Sequence, residues 1–181
     1  MDNSELVNER AGIVIAKLNW SEFYQGEPDP KTAFEGGDNY ERFNFKRVDG
    51  RFYGSIPRNA PELGGEWLVV FIARDTDNRH YAVGWYEQAL FQRGERPEYQ
   101  FDPKMPLSKD GKKFTYSVCA KAAYLLPPGI RHYFKAPSME RFGSATYVYA
   151  IRSKDDTEPW RQEFARFAER VRAQQIEAMS L

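Results

Sequence analysis

The chain has 181 residues, enough for one domain with a sizeable core, and its 26 Lys and Arg residues balance its 26 Asp and Glu residues. Net charge therefore neither indicates nor excludes an anionic partner, and only the local distribution of charge bears on that question. The single cysteine, Cys119, and the two histidines, His80 and His132, exclude an intrachain disulfide framework, a cysteine-based zinc site and most His-rich metal chemistry.

No apolar run approaches about 18 residues, the length that a transmembrane helix needs. The first ten residues, MDNSELVNER, are polar and acidic, unlike a signal peptide. We therefore expect a soluble protein in the reducing cytoplasm, with no membrane association and no cofactor.

The first part of the chain contains two predicted strand regions. Residues 11–18, AGIVIAKL, form a compact apolar run that predicts a strand or a short helix. A loop with Pro28-Asp29-Pro30 follows. In residues 42–58, RFNFKRVDGRFYGSIPR, five basic residues face one acidic residue, and Phe43 and Phe45 alternate with polar neighbours around an Asp49-Gly50 turn signal. This pattern predicts a hairpin that is both basic and aromatic.

The rest of the fold is organised around residues 67–91, where two apolar runs flank the polar turn residues 75–79. Val, Ile, Phe, Tyr and Trp dominate both runs, which predicts a central β-hairpin. Gly84, just before Trp85 and Tyr86, predicts a bend or a close approach of another backbone. Those two aromatic residues are candidates either for a ligand pocket or for the core.

The second half of the chain predicts a loop, further strands and a helix. Residues 93–111 have the prolines and weak periodicity of a long loop, and such loops are usually functional or disordered. Residues 112–126 predict a strand pair or one long strand, and residues 145–151 predict a final strand. Thr157 is the expected N-cap of a helix whose apolar stripe has helical spacing: Trp160, Phe164, Phe167, Ala168 and Val171.

Motifs for catalysis are weak. No GxSxG, P-loop or GxGxxG motif is present. The fragments Asp102-Pro103-Lys104 and Asp110-Gly111-Lys112 match the D-x-K pattern of some metal-dependent nucleases, although in a loop they more often are solvated turn residues. We expect no catalytic activity in this chain itself.

Binding to nucleic acid is indicated instead, because basic side chains that neutralise phosphates are interleaved with aromatic rings that can stack on bases. An ordinary hairpin with outward Arg and Lys and inward Phe would show the same pattern. Reading a single base requires flipping it from the duplex into an aromatic pocket with a polar edge reader. The predicted pocket walls are Tyr24, Tyr40, Phe45, Tyr53, Trp85 and Tyr86, and the predicted edge readers are Asp38 and Asn44. The predicted phosphate contacts are Arg42, Lys46, Arg47, Arg51, Lys112 and Lys113.

Several segments occur in the order found in a bacterial domain associated with the N-terminal part of HNH-type, modification-dependent restriction endonucleases. The segments are Asn44-Phe45-Lys46, residues 48–54 (VDGRFYG), residues 68–73 (LVVFIA), Val83-Gly84-Trp85-Tyr86, Ala120-Lys121-Ala122, Leu125-Leu126-Pro127 and residues 143–150 (GSATYVYA). The chain resembles that domain over about residues 18–155. It departs from the pattern at Glu87-Gln88-Ala89, where the family has Lys-Asn-Ala, and this puts a phosphate contact there in doubt.

The resemblance implies a specificity module, related to the PUA superfamily and its EVE-like members, that recognises a flipped and modified base. The expected fold is α+β, a β-rich and partly closed PUA-like barrel over residues 1–155, with a C-terminal amphipathic helix over residues 156–181 that packs on it or leads to an effector domain. The expected partner is double-stranded DNA, plain or carrying methyl or hydroxymethyl groups, with a fused or separate nuclease in antiviral defence. A small-ligand or protein-interaction sensor module is the alternative, and a metal-dependent nuclease using Asp102 or Asp110 is the third.

Overall fold

The computed structural model describes residues 11–26, 40–57, 60–153, 156–176 and 179–180. Its strands are β1 (Gly12–Leu18), β2 (Arg47–Val48), β3 (Arg51–Gly54), β4 (Trp67–Arg74), β5 (His80–Ala89), β6 (Gly94–Glu95), β7 (Thr115–Tyr116), β8 (Val118–Ala120), β9 (Ala122–Leu125), β10 (Tyr147–Ile151) and β11 (Met179–Ser180). Its α-helices are α1 (Glu98–Phe101) and α2 (Pro159–Arg172). Short 3-10 helices span Tyr40–Phe43, Pro128–Tyr133, Met139–Phe142 and Ala173–Ile176.

Six strands form the main sheet, in the order β10-β1-β4-β5-β9-β11. β1 and β4 are parallel, and the other neighbouring pairs are antiparallel, so the sheet is mixed. β1 and β4 are apolar on both faces because both faces of the sheet are covered, as in other buried parallel strands. Together with α2 this makes the fold α+β, which confirms the predicted class.

The central hairpin is confirmed as β4 and β5. Asp75 and Arg79 close its turn, where the Asp75 N–H donates to the Arg79 carbonyl at 2.9 Å. Phe71 pairs with Gly84 and Ile72 pairs with Ala82, so Val83 is an extra residue that forms a β-bulge. A Cβ on Gly84 would lie 2.4 Å from the Tyr124 carbonyl oxygen, which confirms the predicted close approach of a second backbone at this glycine.

One continuous stretch of chain, residues 118–125, joins the main sheet to a smaller one. Its second half, β9, pairs with β5, whereas its first half, β8, pairs with β3 in the three-stranded sheet β2-β3-β8. Leu90, just after β5, also exchanges two backbone hydrogen bonds with Cys119 of β8, at 2.8 and 2.9 Å. The strands therefore curl around the core that lies on this side of the main sheet.

Two cores lie on opposite faces of the main sheet. On one face, Phe164, Phe167, Ala168 and Val171 of α2 pack on apolar side chains of the central strands, so the predicted helical stripe is confirmed. The helix begins one residue later than predicted, with Glu158 rather than Thr157 at the N-cap position, because Pro159 occupies the first turn. On the other face, the curled strands enclose a second core rich in aromatic rings.

The remaining predictions are met in part. β2 and β3 confirm the basic hairpin, and Asp49 and Gly50 in its turn have φ values of 47° and 75°, as a two-residue hairpin turn requires. Residues 93–111 are more ordered than expected, since they include β6 and α1. Within the described ranges, no helix is both long enough and apolar enough to cross a membrane.

Candidate functional site

The aromatic side chains predicted to wall a base pocket are mostly core residues, which corrects that prediction. Trp85, Tyr86, Phe45 and Tyr24 are each at most 1% exposed. Trp85 and Tyr86 are neighbours on β5 and therefore point to opposite faces of the sheet, where each ring fills a different core. Trp85 stacks on Tyr124 with ring centroids 4.9 Å apart. In this structure none of the four rings can contact a ligand.

Asn44 also has a structural role rather than the predicted role of an edge reader. It is fully buried, its Nδ2 donates to the Ser55 carbonyl at 3.1 Å, and its Oδ1 accepts from the Ser55 N–H at 2.8 Å. Its own carbonyl accepts the hydroxyl proton of Tyr86. These contacts fix residue 44 against the end of β3, and the fully buried side chain is not accessible to a base. Asp38, the other predicted edge reader, lies outside the described residues.

Glu87, just after the two central aromatic residues of β5, has a structural role. Its Oε1 accepts from Nε of Arg172 at 2.6 Å and from the Trp85 indole N–H at 3.2 Å. The carboxylate therefore links β5 to the end of α2 and satisfies the buried Trp85 N–H. A lysine at this position would place a positive charge next to Arg172.

The predicted phosphate contacts differ in exposure. Arg47, Lys112 and Lys113 are exposed, and Arg51 is half-buried. Arg42 and Lys46 are half-buried, with Arg42 above the Phe43 ring at 4.7 Å and Lys46 above it at 6.0 Å. Arg47 and Arg51 lie on β2 and β3 of the small sheet, and contact of the six residues with phosphate stays a prediction.

A pocket of about 820 Å³ and a second of about 750 Å³ open on the surface of the described part of the chain. The second, which we call the Tyr116 pocket, lies between the end of β1, the Tyr40–Phe43 turn, the end of β3, and β6 and β7. Its lining residues are Asn19, Tyr40, Glu41, Ser55, Ile56, Pro57, Arg93, Gly94, Glu95, Thr115, Tyr116 and Ser117. Of the residues predicted for the base pocket, only Tyr40 lies in this lining.

Two half-buried tyrosines form aromatic surface in the Tyr116 pocket. Tyr40 contacts Phe114 edge-on, with ring centroids 4.9 Å apart. Tyr116 contacts the predicted wall residue Tyr53 in the same way, also at 4.9 Å. Tyr53 therefore packs against Tyr116 and is not part of the pocket lining. Burial, followed by the neighbouring Cys119 and Tyr53, raises the pKa of the Tyr116 hydroxyl, so this hydroxyl stays protonated and can donate a hydrogen bond.

Glu41 is the main polar group of the Tyr116 pocket and was missed by sequence reasoning. Its Oε1 accepts from Nδ2 of Asn19 at 2.6 Å and from the Asn19 N–H at 3.2 Å. Burial raises the pKa of this carboxyl group, and hydrogen bonds from its own backbone and from Asn19 oppose that rise only in part. The ionised carboxyl group can only accept a hydrogen bond from a ligand, whereas the protonated form, which burial favours, can also donate one.

A buried ion pair anchors the wall of the Tyr116 pocket. Arg96 Nη2 lies 2.9 Å from Glu98 Oε1, and the two side chains are 0% and 4% exposed. The same guanidinium donates to the carbonyls of Tyr53 and Phe43, which ties the basic hairpin to the segment after β6. The sequence offered no signal for this pairing, because Arg96 and Glu98 resemble any charged pair in a polar loop.

Among the residues that the structure describes, no group of three or more His, Cys, Asp or Glu side chains could hold a metal ion. Asp102 is exposed in a turn, where its Oδ1 accepts from the Lys104 N–H at 2.9 Å, and Asp110 is exposed as well. Comparison with protein-family models, with curated proteins and with solved structures found no match to this chain.

Proposed function

We propose that this chain is a non-catalytic nucleic-acid recognition module that accommodates one base, displaced from its stack, in the Tyr116 pocket. The observation that carries the proposal is the pocket itself: two tyrosines supply aromatic surface next to the Glu41 carboxyl and the Asn19 amide. Bases are read in proteins by this combination of ring stacking and hydrogen bonds to the base edge. In this proposal the stacking surface comes from Tyr116 and Tyr40 rather than from the buried aromatic residues. The group that reads the base edge is Glu41 rather than Asn44.

Cations next to this pocket support a nucleic-acid ligand. Arg93 lines the pocket with a side chain that is 55% exposed, and Lys113 lies 3.1 Å from Glu95 on the same rim. The predicted phosphate contacts Arg47 and Arg51 lie on the hairpin whose end forms another wall. Phosphates flanking a displaced base would meet these side chains.

We further infer a PUA-like, partly closed barrel and a role in restriction of modified DNA. The curl of the strand shared by β8 and β9 supports the barrel, since it carries the sheet around an aromatic core. The restriction context, with a fused or separate nuclease, is supported by the resemblance of residues 18–155 to the N-terminal domain of HNH-type endonucleases.

Fluorescence anisotropy with matched duplexes tests the proposal. The duplexes are unmodified or carry 5-methylcytosine, 5-hydroxymethylcytosine or N6-methyladenine, each at two salt concentrations. We expect one modified duplex to bind more tightly at both salts, because the contribution of the base does not depend on counterion release. Tyr116→Ala should reduce that preference by about 5- to 150-fold, the equivalent of one stacking contact.

Tyr133→Ala is the matched control, because Tyr133 is 70% exposed and lies outside the pocket. An unchanged preference in a folded Tyr116→Ala protein would contradict the assignment of the pocket. Absence of binding to every duplex at low salt would instead favour the small-ligand alternative, for which a pocket of about 750 Å³ has a suitable volume.

A further inference from the structure

The larger of the two surface pockets is a basic cleft on the opposite side of the main sheet from the Tyr116 pocket. It has a volume of about 820 Å³ and lies between the turn of the β4–β5 hairpin, residues 135–139 and α2. Five cationic side chains line it, against one carboxylate, Glu163. The cations are Arg74, Arg79, Lys135, Arg166 and Arg170. The chain as a whole is neutral, so the cleft concentrates positive charge that is balanced elsewhere.

Three separate segments deliver these cations to one place. Arg74 ends β4 and pairs with His80, the first residue of β5. Lys135 forms an isolated β-bridge with Tyr81 of β5. The N–H of the next residue, Ala136, donates to the His80 carbonyl at 2.8 Å. Arg166 and Arg170 are four residues apart on α2, hence on one face of the helix.

Direct ion pairs do not neutralise these cations among the residues that the structure describes. In the described part of the chain, none of the five forms an ion pair with a carboxylate within 4.0 Å. The nearby Asp77 accepts the Tyr81 hydroxyl proton at 2.6 Å and the Arg79 N–H at 2.9 Å, and these hydrogen bonds, followed by the charges of Arg79 and Lys135, lower the pKa of its carboxyl group. Asp77 therefore offsets part of the positive charge at one edge of the cleft. Like charges at the spacing of Arg166 and Arg170 repel each other, and a bound anion would reduce this repulsion.

The electrostatic state of His80 agrees with a positive field in the basic cleft. Burial, and then the charges of Lys17 and Arg74, lower the pKa of this imidazole. His80 is therefore neutral in the free protein at pH 7. An anion in the cleft would offset the repulsion from the neighbouring cations and raise the pKa of the same ring.

We propose that the basic cleft binds the phosphate backbone of the nucleic acid, at a place separate from the Tyr116 pocket. Two observations favour a backbone over a small phosphorylated ligand. The cations come from three segments around an open cleft, as suits an extended polyanion. The two sites also border the same end of the main sheet, because Leu18 at the end of β1 pairs with Ala73 at the end of β4. Asn19 of the Tyr116 pocket and Arg74 of the basic cleft directly follow this pair.

The inference rests on the proposed function for its ligand class, nucleic acid, but it depends on different residues. Overall affinity and its salt dependence test the cleft, whereas the preference for a modified duplex tests the Tyr116 pocket. The first measurement is anisotropy with one unmodified duplex across a series of salt concentrations, for the wild type and for Arg166→Gln/Arg170→Gln. We expect the double variant to bind about tenfold more weakly at 50 mM salt, with a slope of log affinity against log salt that is smaller by about 1.8, as for two lost phosphate contacts. Glutamine retains helix propensity, and a melting curve verifies that α2 is intact.

The matched control is Lys104→Gln/Arg152→Gln, which removes the same charge from two exposed positions that line neither site. The proposal would be overturned if Arg166→Gln/Arg170→Gln has the same duplex affinity and the same salt slope as this control. The alternative occupant of the cleft is a small phosphorylated ligand in place of the backbone. This is the result if inorganic pyrophosphate binds tightly in the cleft while the cleft substitutions leave the affinity for the duplex unchanged, and it would overturn the proposal that the backbone is the occupant.

The ratio of affinities for modified and unmodified duplexes separates the two hypotheses. The cleft variant should retain this ratio while absolute affinity falls, whereas Tyr116→Ala should lose the ratio. If Tyr116→Ala has no effect but the cleft variant weakens binding, the base pocket is wrong and the cleft stands. The reverse result would leave the pocket and remove the cleft.

Discussion

Replacing Arg96 by methionine should be among the most destabilising changes that this chain can undergo near its candidate site. The side chain is fully buried, forms an ion pair with Glu98 at 2.9 Å, and donates to the carbonyls of Tyr53 and Phe43. Methionine matches the length of the arginine stem but supplies no hydrogen bond. It would leave a carboxylate in the interior without its counter-charge, and Glu98 Oε2 already has no hydrogen-bond partner.

Breaking one side of a buried ion pair costs about 3–5 kcal/mol. In a domain of this size that corresponds to a melting temperature lower by about 6–20 °C. Urea unfolding followed by tryptophan fluorescence measures the loss directly. Lys113→Met is the control, because the Lys113–Glu95 pair spans 3.1 Å with side chains that are 49% and 65% exposed, and an exposed pair contributes only about 0–1 kcal/mol.

The double variant Arg96→Met/Glu98→Met adds a second check on this reasoning. Removing both charges eliminates the uncompensated carboxylate, so the double variant should be more stable than Arg96→Met alone. Equal losses for Arg96→Met and Lys113→Met, or strictly additive losses for the two positions of the pair, would refute the reasoning. Because Arg96 holds the carbonyl of Tyr53, whose ring supports Tyr116, the single variant should also weaken discrimination between modified and plain duplexes.

Three further substitutions test individual assignments. Trp85→Ala should cost about 3–5 kcal/mol in the free energy of unfolding, as for a buried aromatic truncation, and the folded fraction should keep the affinity ratio between modified and plain duplexes. Glu41→Gln should stabilise the protein at neutral pH, because burial raises the folded-state pKa of this carboxyl; the difference should fade as pH falls below about 4.5, where the carboxyl is protonated in both states. The pKa of His80 is lowered in the folded state, so the unfolded chain binds its proton more readily and wild-type stability should fall as pH drops below about 6.5. His80→Gln should show a smaller loss between pH 7.5 and 5.5 in the same urea titration.

Local chemistry was sufficient to predict the parts of the fold that depend on neighbours in sequence. Asp49-Gly50 and residues 75–79 carry turn residues between apolar runs, and both hairpins form. The apolar stripe from Trp160 to Val171 has the period of a helix, and α2 buries it. In each case the signal lies within about a dozen residues, where hydrogen bonds and side-chain periodicity act directly.

The candidate site could not be predicted in the same way, because long-range packing decides which side chains reach solvent. The alternation around Trp85 and Tyr86 is compatible with a pocket or with a core, and because both faces of the main sheet are covered, each ring lies in a separate core. Tyr24 and Phe45 are buried in the same core as Tyr86.

Both sites instead draw on residues that are distant in the sequence. The Tyr116 pocket brings Asn19, Glu41 and Tyr116 together, and the basic cleft joins the end of β4 to α2. A charge count within any one segment cannot reveal these groupings. For this reason the sequence predicted phosphate contacts on the basic hairpin and did not predict the basic cleft. It follows that the residues to mutate first are those that converge in space, Tyr116 in the pocket and Arg166 with Arg170 in the cleft.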